Sequence, residues 1–89
     1  MEDYEVRGYQ LRANAKAIVL EFMKKSESCQ PDQKGLTQTQ IFRQCGFDWG
    51  DKKAALSTQQ QFWVVALLRE LEEEGVVAQV HESGPWRLR

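Results

Sequence analysis

Eighty-nine residues leave room for one hydrophobic core and exclude a second, because a chain of this size buries only about 60 to 65% of the surface that its unfolded form exposes. The 42% hydrophobic and 28% charged residues exclude wholesale disorder, and the longest wholly apolar run, Phe62 to Leu68, is too short for a bilayer. Twelve bases against thirteen acids give a net charge of -1, which argues against a uniformly basic nucleic-acid binder but not against a locally basic one.

The acidic opening, Met1 to Glu5, does not read as a signal peptide, so residues 1–10 are expected to be an N-terminal arm of a protein of the cytoplasm or nucleus with no membrane partner. From Leu11 to Met23, Leu11, Ala15, Ile18 and Phe22 recur at helical spacing, with Val19 and Met23 widening the stripe. This predicts helix one. Residues 26–35 have no periodicity, contain Pro31 and Gly35, and are expected to be an exposed loop.

Helix two is expected from the capping box Thr37-Gln-Thr-Gln40, with Leu36 and Ile41 at the two positions of a hydrophobic staple. Gly46 follows Cys45 where a left-handed terminating residue is wanted, and Ile41, Phe42 and Cys45 form the buried side. After a connection through residues 47–56, a second box, Ser57-Thr-Gln-Gln60, opens helix three, expected over Thr58 to Glu74 and stopped by Gly75. Val64, Leu67, Leu68 and Leu71 gather on one of its faces, and Thr58, Phe62, Ala66, Arg69 and Glu73 lie roughly opposite. Val76 to Val80 and Trp86 to Arg89 are strand-like around the turn His81 to Pro85, a hairpin with Val77 and Trp86 as inward anchors.

The fold class is therefore α+β, mainly α. Three helices followed by a C-terminal β-hairpin wing, joined through Leu67-Leu-Arg-Glu-Leu-Glu-Glu-Glu-Gly-Val-Val77, resemble the winged helix-turn-helix superfamily, with residues 11–89 as the domain. The insertion between helices two and three and the closing Gly84-Pro-Trp-Arg-Leu88 are similar to the amino-terminal winged helix of Mrr-type restriction endonucleases. Gly-Pro-Trp is also similar to the wing of Z-form nucleic-acid binders, but helix three lacks the asparagine and tyrosine pairing of that family.

The resemblance implies a module that binds duplex DNA through helix three in the major groove, where Thr58, Gln59, Gln61 and Arg69 would read bases. Lys52, Lys53, Arg87 and Arg89 suit phosphates. From Lys34 to Arg69 there are five bases and only two acids, Asp48 and Asp51, while Glu70, Glu72, Glu73 and Glu74 are concentrated beyond. The same residues serve equally as an ordinary solvated surface. Phe62, large and off the core face, and Trp49 in the insertion offer the alternative of a protein-interaction winged helix or a homodimer, or else are covered by helix one, the arm and the core. Arg69 is expected to pair with Glu73.

Catalysis is not expected. No glycine-rich phosphate loop, nucleophile elbow or HExxH appears, and no cofactor is implied. Cys29, Cys45 and His81 cannot by themselves complete a four-ligand zinc site, so no metal is expected, the cysteines are expected to be reduced, and His81 is read as a turn residue.

Overall fold

The computed structural model describes residues 3–47, 58–82 and 84–89, with the side chains of α3 described from Trp63 onward. Among these residues the chain forms three helices and a C-terminal antiparallel hairpin: α1 (Tyr4–Lys25), a single 3-10 turn (Glu27–Cys29), α2 (Gln38–Gln44), α3 (Thr58–Glu73), β1 (Val77–Gln79) and β2 (Trp86–Leu88). In the hairpin Val77 pairs with Leu88 and Gln79 with Trp86.

Helix one is longer than its apolar periodicity indicates. It begins at Tyr4, capped by the Asp3 carboxylate, which accepts from the backbone N–H groups of Glu5 and Val6 at 3.0 and 3.3 Å. Residues 4–10, set apart above as an arm, are continuous with it. The buried stripe also differs: Ala15, Val19 and Met23 face the core, whereas Leu11 is 72% and Ile18 45% exposed. The core-facing line runs at successive i, i+4 steps and leaves the line through Leu11 and Ile18 roughly a quarter of a turn away.

The segment after α1 is not a free loop. Cys29 is fully buried, and the Gln30 amide donates to the carbonyl oxygens of Met23, Lys24 and Ser26 at 3.3, 3.0 and 2.8 Å, satisfying acceptors that the helix end leaves open. Gly35, with φ +79°, turns the chain so that Leu36 exchanges two backbone hydrogen bonds with Trp86, at 2.9 and 2.7 Å. This isolated bridge fastens the start of α2 to the edge of the hairpin.

The Thr37 box forms in full: the Thr37 hydroxyl accepts from the Gln40 N–H, and the Gln40 side chain accepts from the Thr37 N–H. Both α2 and α3 end in the same way, on a left-handed glycine (Gly46 and Gly75) followed by an apolar residue whose N–H reaches five residues back, Phe47 to Phe42 and Val76 to Leu71. Ser57 and the rest of the second box lie outside the described residues, apart from the helical backbone of Thr58 to Gln60.

The core lies where the three helices meet the hairpin. Val64, Leu67, Leu68 and Leu71 are buried as their shared face requires, together with Ile41, Phe42, Val77 and Trp86. Trp63 closes one side, edge-on to Phe42 at 6.2 Å between ring centroids and tilted against Phe47 at 4.6 Å. Cys29 and Cys45 are free thiols.

Candidate nucleic-acid interface

α3 has three different sides, set by its 100° step per residue. One holds the core leucines. A second turns toward α1, where Glu70 meets Arg12 at 3.3 Å and Glu74 meets Lys16 at 2.5 Å, Lys16 also lying 3.8 Å from Glu70. The third side, with Ala66, Arg69 and Glu73, is exposed.

Arg69 sits on that exposed side, yet its guanidinium is engaged. It lies 4.9 Å from the centroid of the Trp86 ring and donates to Glu72 at 3.0 Å. The expected pairing with Glu73 is thus corrected to Glu72, because the side chain leans toward the hairpin, and Glu72 lies on that flank of α3. Beside it a polar groove of about 570 Å³ runs between the start of α2, α3 and the hairpin turn, with Thr37, Gln38, Gln79 and Glu82 on its walls. The sequence marks Thr37 and Gln38 only as a helix start.

Arg87 points outward from β2 and donates to the carbonyl oxygen of Gln33 at 2.9 Å, so it is stitched to the segment before α2. Arg89 lies at the base of the hairpin, its backbone N–H on the Val76 carbonyl, away from the turn. His81 is exposed in that turn, where its carbonyl accepts from the Gly84 N–H. Arg43 shares with Lys25 a second groove of about 510 Å³ between the end of α1 and α2.

Trp49, Lys52 and Lys53 lie outside the described residues, as do the side chains of Thr58, Gln59, Gln61 and Phe62, whose backbones belong to the first turns of α3. Of the expected site, the described residues therefore include Arg69, Arg87 and Arg89, which stand at three separate places. The Arg12–Glu70 and Lys16–Glu74 pairs, which sequence reading missed, carry no local signal, since their members are 58 residues apart.

Among the described residues no group of three His, Cys, Asp or Glu side chains is placed to hold a metal ion, and no helix is long and apolar enough to cross a membrane. No family model, curated protein or solved structure matches this chain.

Proposed function

We propose that this domain is a winged-helix module that binds duplex DNA and acts by binding rather than by catalysis, as its resemblance to the amino-terminal domain of Mrr-type restriction endonucleases implies. The observation that carries the reading is how the acids of α3 are disposed. Glu70 and Glu74 are turned to α1 and neutralised there, and Glu72 is held by Arg69, so the acidic run does not present its full charge on the outer face. Thr58, Gln59 and Gln61, in the first turns of α3, then carry base reading. Lys52 and Lys53 precede them as phosphate contacts. Arg69 has less to offer than its position suggests, because reaching a base would cost its contacts with Trp86 and Glu72. Arg87 keeps free donors beyond the one given to Gln33, since a guanidinium has five. Two free thiols fit the reducing cytoplasm or nucleus, where such a module would work.

The test is an anisotropy titration with random and selected duplexes at low and moderate salt. Replacing Lys52 and Lys53 together by alanine should weaken binding to every duplex alike and flatten the salt dependence by up to about 0.9 log units per lost phosphate contact. Gln59→Ala should instead narrow the gap between preferred and random DNA by about 1 to 3 kcal/mol. Absence of duplex binding by the intact chain at low salt overturns the reading.

A second reading, a protein-interaction winged helix, is favoured by one specific observation. Between α1 and α3 lies an apolar groove of about 260 Å³, walled by Leu11, Trp63 and Ala66 and continuous with exposed apolar side chains of α1. It adjoins the part of α3 that carries Phe62.

A further inference from the structure

The groove of about 510 Å³ between the last turn of α1 and α2 has a mixed lining. Its floor is apolar: Phe22 and Leu36 pack against the core but are only partly buried, so each keeps part of its surface for the groove. Its two charged residues are Lys25 and Arg43, and among the described residues no acidic side chain lines it. Neither cation is needed to satisfy the carbonyl groups at its helix end. At the end of α1 the Gln30 amide serves those of Met23, Lys24 and Ser26. At the end of α2 the backbone N–H groups of Cys45, Gly46 and Phe47 serve those of Ile41, Arg43 and Phe42. The Arg43 side chain is exposed and meets no acceptor among the described residues. Lys25 has Glu21 at 3.6 Å, one turn earlier on α1, but the two side chains are 79% and 70% exposed, so water screens the pair and the ammonium keeps donors for a second carboxylate.

We propose that this groove docks an acidic, amphipathic peptide segment of a partner protein, with an apolar side chain seated on Phe22 and Leu36 and flanking carboxylates held by Arg43 and Lys25. Charge complementarity chooses this occupant. Both charged residues of the lining are cations, and a guanidinium takes a carboxylate through two parallel N–H bonds. Nucleic-acid phosphates would satisfy the cations but leave Phe22 and Leu36 without an apolar counterpart. A purely apolar helix would cover the floor but desolvate two charges without pairing them. A segment that carries both kinds of side chain meets the whole lining. The groove lies open between one helix end and a second helix, a shape that admits a stretch of chain, and its volume falls within the roughly 300 to 1,000 Å³ of ligand clefts. No residue of α3 or of the hairpin lines it, so a docked segment leaves the proposed DNA face open, and the inference does not depend on that reading.

The test is a titration of the isotope-labelled intact chain with the peptide acetyl-Glu-Asp-Phe-Glu-Asp-Leu-amide, followed by amide chemical shifts. Saturable shifts at Ser26, Arg43 and Gln44, with Arg69 and the hairpin unmoved, are expected. A peptide with its acids replaced by glutamine and asparagine, and one with its Phe and Leu replaced by alanine, should each bind about tenfold more weakly or worse. The chain carrying Lys25→Glu and Arg43→Glu, with unchanged helical circular dichroism, should show a loss of the same order toward the acidic peptide; the altered peptides put the same question to the wild-type chain. Absence of saturable shifts at millimolar peptide overturns the site, and shifts confined to α3 or the hairpin overturn its place. Undiminished binding of either altered peptide overturns the amphipathic partner. If the double charge reversal weakens duplex binding in anisotropy and leaves peptide binding intact, the cations serve phosphates and the proposal fails. The peptide titration contains no DNA, so its outcome is separate from that of the DNA reading.

Discussion

Gly35 backs directly onto Trp86. A Cβ built on Gly35 would lie 2.5 Å from the Trp86 carbonyl oxygen, and the residue holds φ at +79°. Side-chain bulk here would push apart the Leu36–Trp86 bridge that ties α2 to the hairpin. Gly35→Ala should therefore cost about 2 to 4 kcal/mol, from the left-handed backbone and the overlap together, measured by urea unfolding.

The leucines of α3 and the leucine of α1 should respond in opposite ways. Leu67 and Leu71 are 3% and 2% exposed, so Leu67→Ala or Leu71→Ala should lose about 2 to 5 kcal/mol. Leu11→Ala, at a side chain 72% exposed, should stay within about 0.5 kcal/mol of wild type. Equal effects in the two helices would mean that the exposed line on α1 belongs to the core.

Arg69 should matter to the fold before it matters to recognition. Its guanidinium over Trp86 is half exposed, where a cation–π contact contributes about 0.5 to 1 kcal/mol. Arg69→Ala should lower the unfolding free energy by that order, and Arg69→Ala with Glu72→Ala should show coupling in a double-mutant cycle. A loss of DNA preference without any change in stability would return Arg69 to the bases.

Alkaline pH should weaken the fold. Burial pushes the Cys45 thiol from its ordinary 9.0 up to about 11, with nearby Cys29 adding to the shift. Between those values the unfolded chain releases a proton that the folded chain keeps, so stability falls as pH rises from 9 toward 11. Lys16 acts in the same direction: its hydrogen bond to Glu74 raises its pKa above 10.5, so its contribution is complete below 10.5 and is lost as pH climbs through the folded value. Urea midpoints across this range should drop, and Cys45→Ala should remove part of the drop. A flat profile would place the Cys45 thiol in water.

What the sequence determined by itself was local. The Thr37 box, the terminating Gly46 and Gly75, the leucine face of α3 and the inward Val77 and Trp86 all depend on residues within a few positions of one another, and each is found where its spacing puts it. The start of α1 escaped because apolar periodicity marks burial, and the first turns of that helix are held by the Asp3 cap while remaining exposed. Of the candidate site, the sequence could name exposed bases, but not what occupies them. Tertiary structure alone decided that Arg69 lies over Trp86, that Arg87 reaches Gln33, that Glu70 and Glu74 turn to α1, and that Leu36 pairs with Trp86. Apart from Arg69, these partners lie about 50 residues or more apart, and even Arg69 must cross from helix to hairpin; only packing of the whole chain brings such groups within contact distance.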